Sequence, residues 1–194
     1  MTTLPLLVLA STSPYRRELL SRLGLPFHCE APGVDEERFP HRGSPEVRAS
    51  ALALAKARAV AARLPGAVVV GSDQVCALDD EVLGKPGTVE AACGQLRRLQ
   101  GRSHRLATAV AVVHGTRERT VLDVTRLHMR ALEDDAIRRY VEADRPLDCA
   151  GSYRIEALGI SLFDGIEGSD QTAIVGLPLL ATCAMLREFG YRLP

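Results

Sequence analysis

The stretch Leu6-Leu7-Val8-Leu9-Ala10-Ser11-Thr12-Ser13-Pro14-Tyr15-Arg16-Arg17 reads as a strand, a turn and the start of a helix. A short apolar run that ends in small polar residues fits a buried strand. Ser13-Pro14 then gives a side-chain cap followed by a proline, which suits the first turn of a helix. Leu19, Leu20 and Leu23 supply an apolar stripe, and Gly24 ends it. A strand that feeds a helix so directly points to an α/β fold. The turn also has chemical character. Amides at a helix N-terminus and the helix dipole favour an anion. Ser11, Thr12 and Ser13 add hydroxyls, and Arg16 and Arg17 add planar forks that match phosphate oxygens. The alternative is a capped surface helix with two solvated arginines.

Working outward, strands and helices alternate. Phe27 to Ala31 fits a second strand, and residues 32–44 form a loop rich in Pro, Gly and charge. Ser44-Pro45 opens a long Ala-rich helix that reaches about Leu64. Ala67 to Val70 is a continuous apolar run, expected to be a central buried strand with Gly71-Ser72-Asp73-Gln74 as its polar tip. A small hairpin follows from Val75 to Gly84, turned by Asp79-Asp80, and Lys85-Pro86-Gly87 is a turn. Thr88 caps a helix with Ala91, Ala92, Leu96 and Leu99 inward. His104 to His114 and Thr120 to Arg130 form a strand pair turned near Gly115. Helices are expected over Leu132–Ala143 and Leu177–Phe189, with an irregular stretch from Asp148 to Leu162. The whole predicts an α/β fold with a mixed sheet flanked by helices. Residues 1–194 read as a single domain, with the hairpin-rich middle as a possible lobe beside a cleft.

Composition narrows the function. The chain has 194 residues, with 24 Lys+Arg against 24 Asp+Glu. A zero formal net charge argues against a nucleic-acid polymer as partner, since such binders need a basic excess to release counterions. Five widely spaced cysteines with no C-x-x-C pair argue against a zinc ribbon or a thioredoxin-type motif. No apolar run reaches the ~18 residues that a membrane span needs. These features predict a cytoplasmic protein that does not engage a membrane.

Four further residues stand out. Asp73 lies just after the central strand, where open α/β sheets place ligands. There it suits a metal, general-base chemistry or the capping of a turn. Glu36 lies in the charged loop Val34-Asp35-Glu36-Glu37. Lys56 and Lys85 are the only lysines, against 22 arginines among the 24 basic residues. Two lysines kept in so Arg-rich a chain suit compact point charges at phosphates. The chain has no P-loop motif and no nucleophile elbow, so neither a P-loop NTPase nor an α/β-hydrolase is indicated.

Taken in order, Leu9–Arg17, Val34-Asp35-Glu36, Ala55-Lys56-Ala57, Gly71-Ser72-Asp73-Gln74, Gly84-Lys85-Pro86 and Val175-Gly176-Leu177-Pro178 resemble the Maf family over nearly the whole chain. The resemblance implies a fold similar to the inosine triphosphate pyrophosphatases, with two lobes around a cleft. It implies hydrolysis of a nucleoside triphosphate to the monophosphate and pyrophosphate with a divalent metal, Mg²⁺ or Mn²⁺. Asp73 is then the general base, and Glu36 and Asp73 hold the metal. Ser11, Thr12, Ser13, Arg16, Arg17, Lys56 and Lys85 bind the phosphates. A homodimer is also implied.

Ser72-Asp73-Gln74 and Cys149–Glu156 are similar to the branch that hydrolyses 7-methyl-GTP. The branch that prefers dTTP and UTP typically carries Asp-Thr after the central strand. Specificity then falls on Tyr15, Gln74 and Glu156; Tyr15 stands where some members carry Trp, and it keeps the aromatic character. N7-methylation makes guanine a cation, which gains roughly 0.5–2 kcal/mol on an aromatic face. A carboxylate such as Glu156 can accept from the N1–H and amino group of guanine. The alternatives are a pyrophosphatase for dTTP, UTP or another modified nucleotide, and a nucleotide-binding regulator of cell division with little turnover.

Overall fold

A computed structural model describes residues 4–36, 38–39 and 43–194. The loop expected over 32–44 therefore includes Glu37 and residues 40–42, which lie outside the described residues. Among the described residues, seven strands and six α-helices follow in the order β1 (Leu7–Leu9), α1 (Pro14–Ser21), β2 (His28–Cys29), α2 (Pro45–Ala61), β3 (Val68–Leu78), β4 (Glu81–Leu83), α3 (Val89–Leu99), β5 (Ser103–His114), β6 (Arg117–Met129), α4 (Asp134–Asp144), β7 (Phe163–Glu167), α5 (Gln171–Val175) and α6 (Leu179–Glu188). The strands hydrogen-bond in the order β2-β1-β3-β5-β6-β7, with β4 paired to β3. β1 runs parallel to β2 and β3, whereas β3–β4 and β6–β7 are antiparallel, so the sheet is mixed as expected.

The helix starts follow their caps. Ser13, Ser44 and Thr88 each accept a bond from the amide three residues on, and Pro14 and Pro45 fill the first helical position. α1 ends near Gly24, which takes φ 66°. Among the described residues, no helix is long and apolar enough to cross a membrane.

The described residues form two compact units. The first holds those up to Asp73 with Thr108–Asp123 and Asp170–Pro194; the second holds Gln74–Ala107 and Val124–Ser169. In the first, Leu7, Leu9, Val68 and Val70 pack with Leu19, Leu20, Leu177, Met185 and Leu186. In the second, α3 and α4 pack together, burying Ala92, Leu96, Leu99, Ile137 and Val141. Ala91, expected on the inner face of α3, is exposed: only positions 92, 93, 96 and 99 share the buried stripe.

One expectation needs correction. Gly71-Ser72-Asp73-Gln74 is not the tip of a strand that ends at Val70. β3 runs through it to Leu78, nearly all of it buried. The polar residues tolerate this because their groups are paired. Ser72 Oγ lies 2.8 Å from the carbonyls of both Ala109 and Gly176. Asp73 is paired with a buried lysine, described below. Two elements went unforeseen. β7 is a five-residue edge strand that contains Asp164 and Gly165. The five-residue α5 is held by Asp170, whose Oδ1 accepts from the Thr172 amide at 2.9 Å.

Candidate active site

Gly71 sets the geometry. A Cβ at this position would stand 2.4 Å from the Ala53 carbonyl oxygen and 2.7 Å from the Ala57 amide, both on α2. Glycine on the strand and alanines on the helix thus let two backbones approach closely. The buried face of α2 is Ala49, Leu52, Ala53, Lys56, Ala57 and Val60. Lys56 therefore lies on the apolar stripe of its helix, at the level of Asp73 on β3.

Lys56 Nζ donates to Asp73 Oδ1 at 2.6 Å and lies 2.7 Å from Glu36 Oε1. The lysine and aspartate side chains are 3% and 5% exposed, while that of Glu36 is 49% exposed. A buried ammonium is tolerated only with partners of this kind. Burial pushes the Asp73 carboxyl above its ordinary range; Lys56 and Arg16 pull it back and Glu36 pushes it up again. Burial also lowers the Arg16 guanidinium, opposed by the charges of Asp73 and Glu36. These four residues form one electrostatic group.

Arg16 is aimed from behind. Its Nε donates to the Gly176 carbonyl at 2.9 Å, the same oxygen that Ser72 Oγ reaches. Gly176 has φ 125°, and a Cβ there would lie 3.4 Å from Arg16 Nε. The position needs glycine for its backbone and for the close approach of Arg16. Val175-Gly176-Leu177-Pro178 is visible in the sequence as a motif; its part in holding Arg16 and Ser72 depends on contacts 104 and 160 residues apart in the chain, so local pattern does not reveal it.

The strand-to-helix turn is already partly self-satisfied. Ser13 N donates to Ser11 Oγ, Arg16 N to Ser13 Oγ and Arg17 N to the Ser13 carbonyl. Fewer amides are therefore open to an anion than a bare helix end offers, and the hydroxyls and guanidinium groups carry more of that capacity. Ser11 is buried, Thr12 and Arg17 are exposed, and Ser13 and Tyr15 are half-buried.

The first unit thus brings together Arg16, Glu36, Lys56 and Asp73, and carries Ser11, Thr12, Ser13, Tyr15 and Arg17 on one turn. Gln74 follows Asp73 on β3 and is half-buried; Lys85 and Glu156 are exposed. Those three belong to the second unit.

The carboxylates that could hold a divalent cation here are Glu36 and Asp73, both paired with Lys56. Two carboxylates that share one ammonium present hard oxygens, and Mg²⁺ is commonly bound by one or two carboxylates together with substrate phosphates. Among the described residues, no group of three or more His, Cys, Asp or Glu side chains could hold a metal ion.

The family model described as Maf-like protein matches residues 6–189. The chain belongs to the Maf family. Among its relatives, a protein of Xanthomonas oryzae pv. oryzae named 7-methyl-GTP pyrophosphatase is 54% identical over 98% of this chain and 100% of that one. One of Aromatoleum aromaticum with the same name is 54% identical, covering 97% of each chain. Another, of Pseudomonas aeruginosa, is 48% identical over 98% of this chain and all of its own. The chain is also similar to a solved dITP/XTP pyrophosphatase of Mycobacterium abscessus, at 17% identity, 93% and 94% coverage and a TM-score of 0.47.

Proposed function

We propose that this Maf protein hydrolyses 7-methyl-GTP to 7-methyl-GMP and pyrophosphate. The observation that carries the reading is the buried Lys56, shared by Asp73 and Glu36 with Arg16 close by. A plain nucleotide binder has no use for a buried carboxylate flanked by adjacent cations. The substrate follows from the name shared by relatives at about half identity over nearly the full chain.

Water attacks the α-phosphorus, the bond to the bridging oxygen breaks, and pyrophosphate leaves. Asp73 accepts the proton of the attacking water. Burial raises its basicity, and Lys56 and Arg16 oppose that shift. Arg16, Arg17, Lys56 and Lys85 bind phosphate oxygens, and the Ser11–Ser13 hydroxyls hold one phosphate. Catalysis of phosphoryl transfer rests largely on such positioning and charge neutralisation. Glu36 and Asp73 would hold Mg²⁺ or Mn²⁺, which would offset the charge that develops on the pyrophosphate. Tyr15 stacks on the cationic base, Glu156 accepts from its N1–H and amino group, and Gln74 contributes to the choice of base.

The test is Asp73→Asn assayed for pyrophosphate release with 7-methyl-GTP and Mg²⁺ or Mn²⁺. Loss of the base should lower kcat by about 10²–10⁴. Turnover within a few-fold of wild type would remove Asp73 from the role. A panel of 7-methyl-GTP, GTP, UTP and dTTP, compared by kcat/KM, tests the substrate; a preference for UTP or dTTP overturns it.

A further inference from the structure

Within the second unit, one side chain joins two segments that carry proposed substrate contacts. Gln95, half-buried on α3, donates from Nε2 to the Gly84 carbonyl at 2.9 Å. Its Oε1 accepts from the Ser152 hydroxyl at 2.6 Å. The carbonyl can only accept, so the amide nitrogen must face Gly84 and the amide oxygen Ser152. Glutamate could serve only the second contact, and leucine neither.

Each contact fixes a segment at a critical place. Gly84 immediately precedes Lys85, and the far end of that turn is pinned where Gly87 N donates to the Leu147 carbonyl at 3.0 Å. Ser152 is fully buried and takes φ 64°, a conformation that costs a non-glycine residue energy. From Ser152 the chain is anchored step by step toward Glu156. Tyr153 Oη meets His104 Nε2 at 2.8 Å, and Arg154 N donates to Tyr140 Oη at 3.1 Å. The Arg154 carbonyl then accepts from Ala157 N and Gly159 N, closing the turn on which Glu156 is exposed.

We propose that Gln95 is a positioning residue that holds the Lys85 turn and the Glu156 segment in one frame, so that phosphate binding and base reading are set together. The roles of Lys85 and Glu156 rest on the proposed function; the mechanical link does not. Gln95 touches no reacting atom in this scheme and acts through the backbone on either side of it.

Two measurements on the full-length chain test this. In Gln95→Leu, amide hydrogen exchange at Gly87 and at Ser152 should both accelerate, since each amide is bonded within one of the joined segments. In Gln95→Glu, which keeps an acceptor for Ser152, only Gly87 should accelerate strongly. Kinetically, Gln95→Leu should lower kcat/KM for 7-methyl-GTP about tenfold, the scale of one or two lost hydrogen bonds. It should also lower the ratio of kcat/KM for 7-methyl-GTP over UTP. Added to Lys85→Ala, it should cost less than it does alone, because only the part that acts through the Glu156 segment remains. Unchanged exchange at either segment overturns the link. Full additivity with Lys85→Ala and an unchanged substrate ratio overturn the positioning role. Absence of 7-methyl-GTP turnover in the wild-type protein would instead overturn the proposed function, and the exchange result would still decide the role of Gln95.

Discussion

Both units bury ionisable groups, and they surround them differently. In the first, opposite charges are clustered, so Lys56 and Arg16 counter the push of burial on Asp73, and Asp73 and Glu36 counter it on Arg16. In the second, His104, Cys76 and Tyr153 lie together in a buried pocket of the fold, and burial pushes each toward its neutral form. The His104 imidazole is lowered to about 4 by burial, helped by His128. The Cys76 thiol is raised to about 12 by burial. The Tyr153 hydroxyl is raised well above its ordinary value, again chiefly by burial. Charged groups in a low-dielectric site store interaction energy that a substrate can use, whereas neutral groups there form a frame. The contrast separates the residues proposed to do chemistry from those that hold a loop in place.

Removing the lysine should give the largest effect. Lys56→Met leaves Asp73 and Glu36 facing each other without their shared ammonium. Loss of one partner from a buried pair typically costs about 3–5 kcal/mol. Denaturant unfolding at pH 7 should show a loss of that order. Lys56→Met/Asp73→Asn should be more stable than Lys56→Met alone, because the second change removes the stranded charge. If Lys56→Met unfolds at the wild-type midpoint, the pairing contributes no net stability and the proposed division between the units fails.

The pH dependence of stability sharpens the same comparison, because the two units carry opposite signs. His104 has a folded pKa below its unfolded value, so the unfolded chain takes up its proton first. Its contribution is complete above pH 6.5, declines as pH falls, and is fully lost below about 4. The drop of some 2.5 pH units corresponds to up to about 3 kcal/mol. Asp73 behaves in reverse: its folded pKa is raised, so its contribution is present below 3.8 and is lost as pH rises through the folded value. Stability curves for His104→Gln and Asp73→Asn should therefore flatten opposite flanks. A His104→Gln curve parallel to that of wild type between pH 6.5 and 4 would show that His104 does not titrate as its burial requires.

Much of this was legible from local pattern. Ser13-Pro14, Ser44-Pro45 and Thr88 announce three helix starts, because capping is settled within four residues. Lys56 and the Ser11–Arg17 turn are identifiable as residue types suited to phosphate, and Asp73 as one suited to a metal or general-base chemistry; the structure gathers Arg16, Glu36, Lys56 and Asp73. The continuation of β3 was hidden, because a polar run inside a strand is stable only when partners from β5, α2 and the α5–α6 turn satisfy it. The bridge made by Gln95 was hidden for the same reason: its two partners lie 11 and 57 residues away. Lys56 had a signal that composition alone does not explain, since it occupies the apolar stripe of α2.

Gly71→Ala should have the smallest effect on stability and still a clear one on activity. The added Cβ would meet backbone atoms of α2 at 2.4 and 2.7 Å, and neither can rotate away as a side-chain tip could. Overpacking of this kind costs about 1–3 kcal/mol, relieved in part by a shift of the helix. That shift moves Lys56 relative to Asp73, while the second unit contains neither residue. The expected result is a modest fall in the unfolding midpoint, a fall in kcat of about 10²-fold, as a ~1 Å misplacement can produce, and little change in the preference for 7-methyl-GTP over UTP. A variant that loses substrate preference but keeps kcat would invert the assignment, placing base choice with the charged cluster and turnover with the neutral frame.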